Sequence, residues 1–86
     1  MSNPIIVACP KNVWTKVATA VKAGVIYTKI TGPDVYYHTY RLTGDPAPTV
    51  VDEGDRFVEK AIISSDVDID VYIYAQVKDG SVRVCL

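Results

Sequence analysis

The chain has 86 residues, 49 % of them apolar, and a formal net charge of −1. That length makes one small domain, and the charge balance argues against a nucleic-acid binder dominated by phosphate contacts. Two cysteines are too few for a disulfide scaffold and lack the Cys-x-x-Cys spacing of a zinc site. The start of the chain has no basic segment before its short apolar run, so no signal peptide is expected, and no window is long enough to span a membrane.

In chain order, Ile5 to Ala8 is an apolar run stopped by Pro10, which reads as a first strand placed at a sheet edge. The next segment carries two patterns. Val13, Val17 and Val21 with Trp14 and Ala18 make a helical stripe, with Asn12 as N-cap and Gly24 as stop. The same stretch alternates Val13, Thr15, Val17, Thr19 and Val21, and its β-branched content favours a strand. Lys22-Ala23-Gly24 is expected to turn the chain into a strand over Val25 to Thr31. Gly32-Pro33-Asp34 is a further turn signal. Val35 to Thr43 then alternates, with Tyr36, His38, Tyr40 and Leu42 on one face.

Gly44 to Gly54 holds Pro46 and Pro48 and ends acidic. It reads as the one long loop, with room for a short strand at Thr49-Val50-Val51. Arg56 to Ile63 is the next expected strand, and Ser64-Ser65-Asp66 a corner. From there Val67, Ile69, Val71, Ile73, Ala75 and Val77 alternate with Asp66, Asp68, Asp70, Tyr72, Tyr74, Gln76 and Lys78. Asp79-Gly80 has the composition of a two-residue type I′ turn. That turn would pair Val77 with Val82, Ala75 with Val84 and Ile73 with Leu86 in a closing hairpin. The sum is an all-β chain: a small antiparallel β-sandwich or barrel of six to eight short strands, as one domain over residues 1–86.

Chemistry-bearing motifs are sparse. Asp66-x-Asp68-x-Asp70 suggests a calcium loop, but an EF-hand needs Gly at its sixth position and Glu at its twelfth, where Val71 and Val77 stand. The three aspartates are instead expected on a solvated face. His38 could pair with Cys9 or Cys85 as base and nucleophile, but no third group or local signature supports that. Cys9 and Cys85 could close a disulfide if the terminal strands were neighbours, but buried free thiols are the favoured reading. No catalytic residue, cofactor site or metal site is assigned.

The six tyrosines are the more informative feature, because an apolar ring with a polar tip suits partly wet interfaces. Tyr36, Tyr40, Tyr72, Tyr74 and Arg83 are the candidate interface residues. The charge is also split. Residues 1–50 hold five basic and two acidic side chains, and residues 51–86 hold four and eight. With a high apolar fraction in a small chain, this suggests a homo-oligomer, trimer or dimer.

Asn12-Val13-Trp14-Thr15-Lys16-Val17-Ala18 through Tyr27, Pro33 through Tyr40-Arg41-x-Thr43-Gly44, and Asp70-Val71-Tyr72-Ile73-Tyr74-Ala75 with Lys78-Asp79-Gly80-x-Val82-Arg83-Val84 together resemble a small β-rich bacteriophage virion protein. The resemblance is to head-decoration, cement or fibre-associated components. It implies a structural role by protein–protein adhesion, a virion location after synthesis in the host cytoplasm, and a major capsid or other virion protein as partner. It implies no catalytic residue. A single-stranded nucleic-acid-binding barrel and a carbohydrate or host-attachment module are the alternatives that the tyrosines also suit.

Overall fold

The computed structural model describes residues 4–28 and 35–86. The chain is nearly all β, as the alternation predicts. Its strands are β1 (Ile5–Cys9), β2 (Trp14–Thr28), β3 (Tyr36–Leu42), β4 (Asp55–Phe57), β5 (Lys60–Ala75) and β6 (Gly80–Cys85). They form one antiparallel sheet in the order β1-β6-β2-β5-β3-β4, curled into a half-barrel. The expected Gly32-Pro33-Asp34 turn and the end of the Val25–Thr31 strand lie outside the described residues.

Two strands are much longer than expected, and their irregularities produce the curl. β2 runs for 15 residues and β5 for 16. They pair along most of their length, with register shifts between Lys16 and Ala18, Ala18 and Val21, and Val21 and Ala23. Extra residues on one strand bend it and increase its twist. The expected corner at Ser64-Ser65-Asp66 is one of these irregularities. Ala23 pairs with Ser64 and Val21 with Ile69, so residues 65–68 bulge out while the strand continues. The expected turn at Lys22-Ala23-Gly24 is likewise absorbed into β2. Gly24 is needed there because a Cβ would lie 2.8 Å from the Cys85 carbonyl oxygen.

The closing hairpin is not formed. β6 pairs with β1 and with the second half of β2, not with β5. The physical reason is that a strand has only two edges. Over residues 69–74, β5 gives one edge to β2 and the other to β3, and Ala75 is bridged by Lys11 and Tyr36, so no edge remains for β6. Neither Asp79 nor Gly80 has positive φ, as a type I′ turn would require. Asp79 instead accepts a hydrogen bond from the Lys11 amide at 2.7 Å, and Gly80 opens β6 opposite Cys9. Gly80 is required for space: a Cβ would collide with the Tyr36 hydroxyl. Val67 and Val77, expected in the core, are exposed.

The core lies inside the curl. Ile26, Ile63, Val71, Ile73, Val82 and Val84 are nearly fully buried, joined by Cys9, Tyr36, Phe57, Ala61, Ile69 and Ala75. These residues alternate with others that point outward, as the pleat demands. β4 ends at Phe57, and Glu59 at φ 74° separates it from β5, so the expected continuous strand from Arg56 to Ile63 is broken. A 3-10 turn, Val51–Glu53, replaces the short strand expected near Thr49-Val50-Val51. Asn12, the cap that only the helical alternative needed, takes φ 62° in the link between β1 and β2. That is a conformation asparagine tolerates better than most residues.

Candidate interaction surface

The outer side of the sheet has two halves with different fates. One half is built from β3 and the last part of β5. The strand register brings Trp14 beside Tyr74, Lys16 beside Tyr72, and Tyr37, Thr39 and Arg41 beside Tyr74, Tyr72 and Asp70. The 43–54 segment folds over this half. The Trp14 indole Nε1 donates to the Val50 carbonyl at 2.9 Å, and the ring packs 5.3 Å from that of Tyr74. Gly54 passes so close that a Cβ there would collide with the indole and the His38 carbonyl.

Charges fasten the same segment. Arg41 Nη2 lies 3.0 Å from Glu53 Oε1. The other Glu53 oxygen accepts from the Val50 amide at 2.9 Å and from the Thr49 amide. Those amides, with Arg41 adding to them, hold the Glu53 carboxyl below its ordinary value.

Asp70 is the anchor of this half. It is 3 % exposed, not part of a solvated face. The β2 bulge at Ala20, φ 53°, turns that residue's N–H toward Asp70 Oδ1 at 2.9 Å. Thr43 Oγ1 donates to the same oxygen at 3.1 Å, and Lys16 Nζ lies 3.3 Å from Oδ2. The Ala20 amide is the largest cause of a lowered carboxyl pKa. Asp66 and Asp68 stay exposed, so the three aspartates do not converge. Among the described residues, no three His, Cys, Asp or Glu side chains are placed to hold a metal ion.

The other outer half carries no such cover among the described residues. It is built from β1, β6, the end of β2 and the start of β5. Ile6, Arg83, Tyr27 and Lys60 form one row across four strands, and Cys85, Val25 and Ile62 form the next. Ile6 is 66 % exposed and Ile62 65 %. The Arg83 guanidinium lies over the Tyr27 ring, 4.9 Å from its centroid. Ile6, Tyr27, Thr28, Ser81, Val82 and Arg83 line a cleft of about 260 Å³.

The five candidate interface residues do not converge on one surface. Tyr36 is buried in the core beneath Gly80. Tyr40 packs against the core and donates its hydroxyl to the Ile62 carbonyl across the curl, at 3.3 Å. Tyr72 is 4 % exposed, with Lys16 Nζ 5.9 Å from its ring centroid. Tyr74 is half-buried beside Trp14, its hydroxyl on Asn12 Oδ1 at 3.2 Å. Only Arg83 stands on the bare half. The missing hairpin explains this, because Tyr72 and Tyr74 were expected to share a face with Arg83 by pairing that does not occur.

Sequence reading missed Ile6, Tyr27, Lys60 and Ile62 as surface partners. One signal was available. Val25-Ile26-Tyr27 and Ala61-Ile62-Ile63 are apolar on both strand faces, which in an antiparallel sheet asks for a second covering layer.

The two thiols lie on opposite faces of the sheet, and the histidine packs among aromatic rings. Cys9 is buried, and burial pushes its thiol up to about 11. It faces the core, whereas Cys85 pairs with Val25 on the outer side, and both are free. His38 packs 5.2 Å from Phe57 and 5.3 Å from Tyr40. Burial lowers its pKa against the opposing effect of Asp55, so a neutral imidazole is favoured. No helix among the described residues is long and apolar enough to cross a membrane. Comparison with family models, curated proteins and solved structures finds no match.

Proposed function

We propose that this chain works by adhesion rather than catalysis, as a structural decoration or cement component of a phage virion. Its bare outer half binds copies of itself and a capsid or other virion protein. The observation that carries this reading is the apolar Ile6–Val25–Tyr27–Ile62 surface, left uncovered among the described residues while the neighbouring half is covered by the chain's own loop. An uncovered apolar face rimmed by cations, here Arg83 and Lys60, suits a protein interface better than bulk solvent. The virion setting is supported by the sequence resemblance alone.

The test is co-sedimentation with phage capsids stripped of decoration protein, together with light scattering across a concentration series. Binding that is lost in Tyr27→Ser/Ile62→Ser supports the reading. A monomer at high micromolar concentration that leaves every capsid surface bare overturns it. A second reading, a platform for single-stranded nucleic acid, is favoured by Tyr27 standing between Arg83 and Lys60 in one row. That row has a single aromatic, already covered by Arg83, so adhesion ranks first. Salt-sensitive oligonucleotide binding lost in Arg83→Ala would reverse the order.

A further inference from the structure

The two edges of the sheet are guarded differently. The β4 edge is three residues long and carries Asp55 and Arg56, with Glu59 just beyond in a positive-φ turn. Short length, charge and an irregular turn are the usual devices against edge-to-edge pairing. Among the described residues, the β1 edge carries neither charge nor an irregular turn. Ile5-Ile6-Val7-Ala8-Cys9 is free of charge and regular in its register with β6, and Ile5 and Ile6 are exposed.

We propose that β1 is a docking edge for a second copy of this chain, joining two half-barrels by antiparallel β1–β1 pairing about a two-fold axis. This deepens the adhesion reading and rests on it. Three observations select a second copy as the occupant. First, Pro4 bounds the strand at one end and the buried Cys9 at the other, so the pairable seam is Ile5 to Ala8, and another β1 matches that length. Second, the seam holds no charge, so self-pairing opposes no like charges. Third, Ile6 belongs to the bare outer half, so pairing at this edge joins two bare faces into one surface.

The register keeps the outward-facing Ile6 and Ala8 on one side of the joined sheet. A two-fold axis at Val7 places Val7 against the partner's Val7 and Ile6 against the partner's Ala8, and leaves the buried Cys9 out of the seam. A seam this short makes a small interface, so the dimer is in reversible, concentration-dependent exchange.

The register gives a charge test. In Ile6→Lys/Ala8→Lys, lysines oppose lysines at two places across the seam. In Ile6→Lys/Ala8→Glu, each lysine opposes a glutamate. Both variants and the wild type are compared by sedimentation velocity from low micromolar to millimolar concentration, with circular dichroism and melting curves confirming that each is folded. The expected result is a dimer for the wild type, at least a tenfold weaker dimer for the double lysine, and a salt-sensitive dimer for the lysine–glutamate variant. Equal dimerisation of all three overturns the edge and leaves adhesion through another surface standing. Loss of the dimer in both variants overturns the register. A wild type that stays monomeric yet binds capsids overturns the second-copy occupant but not the adhesion reading. A monomer that binds nothing overturns both.

Discussion

The two halves of the outer face began from similar material and ended differently. Both present aromatic and basic side chains on an antiparallel sheet. Over β3 and the end of β5, Trp14, Tyr74 and Tyr72 lie under the 43–54 segment, held by the Trp14–Val50 hydrogen bond and the Arg41–Glu53 ion pair. Over β6 and the start of β5, Tyr27, Arg83, Ile6 and Ile62 have no such cover among the described residues. The difference lies in chain connectivity. The loop leaves β3 at Leu42 and returns at Asp55, so it can reach only the half that β3 borders. Aromatic content alone therefore does not mark a contact surface in this protein. The tyrosines that look most like anchors serve the fold, and the open surface is largely aliphatic.

The largest effect should come from removing the loop's purchase on the covered half. Trp14→Ala is expected to cost about 3 kcal/mol of folding stability, by loss of ring burial and the cavity it leaves. Denaturant titration would read the loss, and faster proteolysis within 43–54 would show that the cover has lifted. An unchanged midpoint would mean the two halves differ less than their contacts suggest.

Gly54→Ala attacks the same contact from the other side. The backbone at Gly54 is extended, φ −126°, so no conformational strain is involved. The added methyl must displace the Trp14 ring or the His38 strand, an overpacking cost of about 1–3 kcal/mol. In Trp14→Ala the ring is gone, so the second change should cost less there than alone. Full additivity in that cycle would argue against direct contact.

The covered half should also be the acid-labile one. Asp70 and Glu53 have carboxyl pKa values held below their ordinary 3.8 and 4.5 in the folded state. A depressed pKa contributes stability that is complete above the ordinary value and is lost as pH falls through the folded one. Stability should therefore begin to fall below about pH 4.5 and continue falling beneath pH 3.8. Asp70→Asn should lower the melting temperature at neutral pH and flatten that acid limb. An acid limb as steep as wild type would remove Asp70 as its cause.

The smallest effect on folding should be on the bare half. Ile62→Ser at an exposed site is expected to change stability by less than about 0.5 kcal/mol. The same substitution should weaken association measurably. If it instead unfolds the chain, Ile62 is covered by something other than a partner, and the contrast between the halves fails.

Much of the fold was legible because strand alternation is a local signal. Ile5–Ala8 reads correctly as an edge strand because Pro10 stops it. The alternation over Tyr36–Leu42, by contrast, marks two faces without saying which is inward, and Tyr36 and Tyr40, expected at an interface, face the core. The odd-numbered residues Ile69 to Ala75 are buried as their alternation requires. The hairpin failed although Asp79-Gly80 has suitable turn composition, because the strands that claim the two edges of β5 lie far away in sequence. Asp70 was illegible for a similar reason. Its partners, Lys16, Ala20 and Thr43, are 27 or more residues away, and the amide it needs is exposed only by a bulge.

What the amino-acid order determined by itself is the β class and the positions of most strands. These depend on side-chain alternation and turn chemistry over a few residues. Which strands became neighbours, and hence which face was covered and which left open, was decided only by the tertiary structure. Each strand edge can be used once, and the competition for it is settled between segments that local patterning cannot compare.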